Sequence, residues 1–218
     1  MMLLYAVVAA DANAPETRGL HGHLLETIRG ELAAVIVEEC SERLSATSEE
    51  SRAFAKIICD LATTISVLPI RFATMLPTRS AVLSELQANE ATWRRRLAEL
   101  DGLSEVVIRA QEAETDHELG ATPDGSGTTY LVNRAAVIHR QEASITEITE
   151  LVRPWSREIK VLPSQQGIRL ACLVADGDVP QLRDAVKTWQ QTRSGRQAVV
   201  SGPWPVFSFV GDQEAVSG

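Results

Sequence analysis

The sequence predicts an α+β protein built as two domains, residues 1–102 and 103–218. Three observations predict it. Short apolar or β-branched runs alternate with longer stretches whose apolar residues recur every three or four positions, so strands and helices share one chain. Asp101-Gly102 separates two such sets. Residues 103–210 read strand, helix, strand, strand, helix, strand, the split βαβ or ferredoxin-like order in which two helices cover one face of a four-stranded antiparallel sheet.

In the first half, Leu3–Ala9 is an apolar run closed by Asp11-Ala12-Asn13-Ala14-Pro15, a buried strand followed by a turn. Leu32–Val37 is a second strand. Ser48 stands as an N-cap, with Glu49 and Glu50 in the first turn and Phe54, Ile57, Ile58 and Leu61 at helical spacing behind it, which predicts a helix over 49–63. Ile65–Ile70 is β-branched but carries Pro69, whose missing N–H confines it to an edge or a bulge. A helix over 79–100 places Val82, Leu86, Trp93, Leu97 and Leu100 on one side and stops at Asp101-Gly102.

In the second half, Leu103–Ala110 is a strand and Glu112–Gly127 a polar loop. From Thr129 to Arg153 there is neither Gly nor Pro, and Leu131, Ala135, Ile138, Ile145, Ile148 and Val152 mark one long helix. Ile159–Leu162 and Ile168–Ala175 are strands joined by a hairpin-length connection through Gly167. Asp178 caps a helix carrying Leu182, Val186 and Trp189. Gln197–Ser201 and Val206–Val210 are strand-like on either side of Gly202-Pro203-Trp204-Pro205.

Composition narrows the function. Hydrophobic residues are 44% and charged residues 23% of 218, the balance of a folded protein with a real core. No run approaches the ~18 apolar residues of a membrane span, and the apolar opening lacks the basic flank of a signal peptide, so a cytoplasmic protein is expected. The net charge of −8 is spread over both halves and argues against nucleic acid and anionic membrane as partners. Arg94-Arg95-Arg96 lies among Glu90 and Glu99 on a helix and reads as a solvated face. Cys40, Cys59 and Cys172 read as reduced thiols that fill core space.

A search for chemistry finds neither a phosphate-binding glycine loop nor a nucleophile elbow. His21-Gly22-His23 lacks the further ligands of a zinc site. His117 and His139 have no sequence partner for acid–base work, Asp124-Gly125-Ser126-Gly127 reads as a flexible loop, and Asp176-Gly177-Asp178 as a turn with an N-cap. No enzyme, cofactor or metal site is expected. A ferredoxin-like sheet also suits a small-ligand-binding regulatory module, an alternative that rests on fold analogy.

Two stretches stand out. In Val67-Leu68-Pro69-Ile70-Arg71-Phe72-Ala73-Thr74-Met75, strand alternation sets Arg71 among apolar neighbours, where a guanidinium needs a carboxylate partner or a route to solvent. In Ser201-Gly202-Pro203-Trp204-Pro205-Val206-Phe207-Ser208-Phe209, two prolines flank a large aromatic. Trp204 there is either packed on its own core at a bulged edge or an aromatic platform for a partner, while Phe207 and Phe209 alternate as core rings of a last strand.

With the opening Leu4-Tyr5-Ala6-Val7-Val8, these stretches resemble the gas vesicle protein family GvpF/GvpL, whose members end in G-P-W-P-P-Y-S-F, carry a central V-L-P-V-R-F-G-T and open on a Y-x-Y-G-V-V-like strand. Val206-Phe207 replaces Pro-Tyr here, Ala73 replaces the Gly after Arg-Phe, and Glu50-Ser51-Arg52-Ala53 lacks the His common on the preceding helix. The resemblance implies a two-domain α+β build with a modified ferredoxin-like second domain. It further implies an accessory or minor structural protein of gas vesicles, the gas-filled shells that give microbes buoyancy. Such a protein binds the hydrophobic shell protein GvpA, limits its aggregation and supports vesicle nucleation and assembly together with other accessory proteins. It implies no catalytic residue, and it makes Arg71, Phe72, Gly202, Pro203, Trp204, Pro205 and Phe207 the family-motif and candidate interaction residues.

Overall fold

The computed structural model describes residues 1–41, 44, 47–112, 143–164, 167–192 and 196–210. The loop read over Glu112–Gly127, its Asp124–Gly127 turn, His117, His139 and the first part of the long helix lie outside the described residues, apart from the backbone of Glu112. The chain divides into two compact units, Met1–Leu103 with Trp204–Gly218, and Ser104–Pro203. The ending from Trp204 therefore belongs with the first unit, where the sequence reads as continuing in the second.

The first unit holds β1 (Met2–Ala9), β2 (Glu26–Arg29), β3 (Ala33–Glu39), α1 (Ser48–Ala62), β4 (Leu68–Pro69), β5 (Met75–Leu76) and α2 (Arg79–Leu100). The sheet order is β2-β3-β1-β4, with β5 also on β1, and every pairing is antiparallel. β1 is central and apolar along nearly its whole length because both of its faces are covered. On one face Leu3, Tyr5, Val8, Ala34 and Ile36 pack against Phe54, Ile58 and Leu61 of α1. α2 packs on β1 and β3, and none of its residues joins that cluster, so it covers the other face with Val82, Leu86 and Trp93.

Pro69 sits in β4 at the sheet edge, opposite Ala6, which is where its missing N–H is tolerated. The cap of α1 is Thr47, one residue before the expected Ser48. Thr47 and Glu50 form a reciprocal capping box, which Ser48 and Ser51 cannot, since position 51 carries no carboxylate or amide. β2, a stretch to which the sequence reading assigns no element, is the short edge strand of a hairpin. Its turn at Gly30–Ala33 is held from α2, where the Glu90 carboxylate accepts the amides of Leu32 at 2.7 Å and Ala33 at 3.1 Å. These amides hold the Glu90 carboxyl below its ordinary range. A Cβ at Gly30 would lie 2.1 Å from Glu90 Oε1, so a side chain there would displace the carboxylate from the turn.

The second unit holds β6 (Leu103–Glu112), α3 (described over 143–152), β7 (Ser156–Val161), β8 (Ile168–Ala175), α4 (Val179–Gln191) and β9 (Arg196–Trp204). Its sheet order, β7-β8-β6-β9, is the order that split βαβ connectivity generates. Val106, Ile108, Leu170, Cys172 and Val174 pack with Ile148 and Val152 of α3 and Leu182, Val186 and Trp189 of α4. Gly167 closes the β7–β8 hairpin at φ +67°, and a Cβ there would lie 2.4 Å from the Ala110 carbonyl oxygen. Arg196 is buried across the Trp189 ring at 4.4 Å while its Nη2 reaches Glu147 at 2.6 Å, tying β9 to α3 and α4. Asp178 occupies the cap position of α4, but its side chain makes no cap bond.

The last stretch departs from expectation. Val206–Val210 is not a strand; Phe207–Phe209 forms a 3-10 turn, with Phe209 N–H donating to the Val206 carbonyl at 2.9 Å. A turn of three residues sets Val206 and Phe209 on one side and Phe207 on another. Val206 and Phe209 are accordingly buried, and Phe207 is 37% exposed.

Candidate functional site

Tyr5 is the hub of the opening strand. Its ring stacks on Phe54 of α1 at 4.8 Å, and Phe54 meets Phe72 of the central motif at 5.2 Å. Its hydroxyl donates to Glu38 Oε2 at 2.7 Å and accepts the Leu20 amide at 2.9 Å. Glu38, 0% exposed on β3, also accepts the amides of His21 at 2.9 Å and His23 at 3.3 Å. Three donors thus satisfy a buried carboxylate, and the 18–24 loop is fastened to the sheet. Burial, then the Glu38 carboxylate, push the Tyr5 phenol well above its ordinary pKa, so it stays a donor. A Cβ at Gly19 would lie 2.2 Å from Glu38 Oε2, which fixes glycine there. The pair is shut away from solvent and serves architecture. His21 and His23 are held by their backbones, and their side chains are exposed.

Arg71 is not buried among apolar side chains. The strand stops at Pro69, and Arg71 opens a turn in which Thr74 donates to its carbonyl through N–H at 3.2 Å and Oγ1 at 2.7 Å, so strand alternation does not apply. Its side chain is exposed and makes no hydrogen bond or ion pair with another described residue. Inside the same turn Ala73 has φ +64°, a left-handed conformation that L-alanine adopts at a cost.

At the ending, Gly202 has φ +116° and the Gly202–Pro203 peptide is cis. Pro203 and Trp204 are exposed, Trp204 at 41%, while Gly202 and Pro205 are half-buried. Phe207 N–H donates to the Pro205 carbonyl at 2.7 Å, which turns the chain so that Phe207 faces outward. Arg96 of α2 donates to the Phe209 carbonyl, so one member of the basic cluster anchors the ending while Arg94 and Arg95 are exposed. The predicted residues therefore sort into a packed one, Phe72, two half-buried ones, Gly202 and Pro205, and exposed ones, Arg71, Pro203, Trp204 and Phe207. No hydrogen bond or ring contact joins Arg71 to the ending among the described residues.

Among the described residues no three His, Cys, Asp or Glu side chains are placed to hold a metal ion, and no helix is long and apolar enough to cross a membrane. Burial raises the thiol pKa of all three cysteines, Cys172 to about 11, which leaves them poor nucleophiles. The family model described as gas vesicle synthesis protein GvpL/GvpF matches residues 1–211.

The chain belongs to the GvpL/GvpF family.

Gas vesicle protein F of Streptomyces sp. strain CB03234 is 28% identical over 210 residues, covering 84% of this chain and 86% of that protein. The fold matches the crystal structure of GvpF from Anabaena sp. PCC7120 with a TM-score of 0.80 at 15% identity, over 96% of this chain and 95% of that one. GvpF from Microcystis aeruginosa matches at 0.78 and 14% identity, over 96% and 98%. Within the GvpL/GvpF pattern, Ala73 stands where the central motif has Gly, and the positive φ supplies the physical reason for that Gly.

The sequence reading missed Glu38, Glu90 and Arg196. Glu38 had a signal: it follows Ala34 and Ile36 at the strand period, an acid on a face otherwise apolar, but the strand was ended at Val37. The others had none, because their partners lie far away along the chain.

Proposed function

We propose that this protein is a non-enzymatic accessory component of gas vesicles that binds the hydrophobic shell protein GvpA in the cytoplasm, limits its aggregation and supports vesicle nucleation and assembly. Other gas vesicle accessory proteins are further partners. The observation that carries the reading is the outward-facing aromatic pair Trp204 and Phe207 on the ending motif of a GvpL/GvpF family chain. A shell subunit with a gas-facing apolar surface self-associates in water, and a chain of net charge −8 that presents rings among prolines covers such a surface while staying soluble. Trp204 adds an N–H donor to its apolar body, which suits a contact that is dry at its centre and wet at its rim. Arg71, exposed at the central turn, supplies a second candidate contact.

The test is co-purification of the tagged chain with shell protein from gas-vesicle-forming cells, alongside deletion of its gene from an otherwise complete gene set. Retention of shell protein, with vesicles lost or deformed on deletion, is expected. Absence of shell protein from the purified chain, or normal vesicles after deletion where no paralogue remains, overturns the proposal.

A further inference from the structure

The two edges of the second unit's sheet are protected in different ways. β7, at one edge, has Arg157, Glu158 and Lys160 among its six residues, and such charges discourage a foreign strand from pairing. β9, at the other, carries no charge from Gln197 to Trp204. Its Gln197-Ala198-Val199-Val200-Ser201 stretch is β-prone, lacks Pro, and holds Val199 65% exposed, the composition of an edge that self-pairs.

Protection comes from α4. Arg183, half-buried, donates through Nη1 to the Val200 carbonyl at 3.5 Å and through Nη2 to the Gly202 carbonyl. Residues two apart on a strand direct their carbonyls to the same side, and among the described residues β6 is the one strand beside β9. The fork of Arg183 therefore occupies the two acceptors that a new strand would use, and sets a positive charge against the donors that remain. It makes no ion pair with another described residue, so its donors are committed to these carbonyls.

We propose that Arg183 is the guard of the β9 edge, and that without it β9 pairs antiparallel with β9 of a second copy of this chain. A second copy is the fitting occupant because two identical uncharged edges related by a two-fold axis satisfy each other's backbone groups without placing like charges opposite one another. The inference is independent of shell-protein binding.

The experiment is light scattering on the eluting full-length chain across about a hundredfold range of concentration. Arg183→Met, similar in reach but without donors, is expected to raise the mass toward about twice the wild-type value at concentrations where the wild type is unchanged. Adding Val199→Lys, at an exposed position, restores the wild-type mass. Arg183→Lys, a single-point donor that leaves one carbonyl open, gives a smaller shift and serves if the Met variant does not fold. In associating samples, amide exchange at Val200 and Gly202 slows as concentration rises. A folded Arg183→Met or Arg183→Lys chain with wild-type mass throughout overturns the proposal. So does association that Val199→Lys leaves undiminished.

Discussion

Tyr5→Phe isolates the hydroxyl that joins the opening strand to Glu38. The phenyl ring keeps its stacking on Phe54, so the change removes two hydrogen bonds and little packing. One of them, at 2.7 Å, runs to a carboxylate that is 0% exposed, and bonds to charged acceptors are worth about 1.5–3 kcal/mol. Glu38 keeps the His21 and His23 amides, so its charge is not stranded, and the half-buried Leu20 amide can turn to water. We expect a loss of about 2–3 kcal/mol. Urea unfolding at neutral pH measures it, with m unchanged and the midpoint lowered. Amide exchange at Leu20, His21 and His23 should quicken together, because the 18–24 loop loses one of its fastenings. A loss below about 0.5 kcal/mol with unchanged exchange at those amides would refute the view that this hydroxyl holds the loop.

Other expectations follow from the same geometry. Ala73→Gly relieves the left-handed alanine and should stabilise by about 0.5–1 kcal/mol in urea unfolding, the strain relieved exceeding the entropy that glycine adds to the unfolded chain; a loss of stability would contradict the strain. Phe209→Ala should cost about 3–5 kcal/mol, as a fully buried ring does. Trp204→Ala and Phe207→Ala should cost far less and weaken shell-protein binding by about 2 kcal/mol, and unfolding as severe as that of the Phe209 variant with normal binding would make the ending a packing motif. Arg71→Met should leave the melting temperature unchanged, since the side chain is exposed; a clear drop would reveal a partner carboxylate. The depressed Glu90 carboxyl stabilises above its unfolded pKa, and that stability is lost as pH falls through the folded value. The stability gap between wild type and Glu90→Gln should thus close on acidification, and a gap that widens toward low pH would reverse the sign.

What was legible in the sequence was whatever is local. β1 and β8 are near-continuous apolar runs and α2 has apolar residues at helical spacing, and the split βαβ order emerges from counting such elements after Gly102. Pro69 at an edge was readable because a missing N–H has one consequence wherever it lies. The errors have local causes too. Phe207 and Phe209 alternate about a serine and so imitate a strand, but β9 ends at Trp204, Pro205 lacks the backbone donor that would continue it, and the chain winds into a 3-10 turn. Arg71 was placed by alternation beyond the point where Pro69 ends the strand. Glu38 with His21, Glu90 with Leu32 and Arg196 with Glu147 are pairs whose partners are set by tertiary structure, which no spacing rule reaches.

The division of the chain has a consequence for synthesis. The first unit consists of Met1–Leu103 and the stretch from Trp204, so all of Ser104–Pro203 is an insertion within it. A chain emerging from the ribosome fixes its early segments first, yet here the buried Phe209 ring and its carbonyl bond to Arg96 arrive a hundred or so positions after α2 ends. The first unit is closed only after the whole of the inserted unit has been translated. Trp204 and Phe207 reach the surface in that same step, so the aromatic ending is displayed only on a molecule whose inserted unit has already been made.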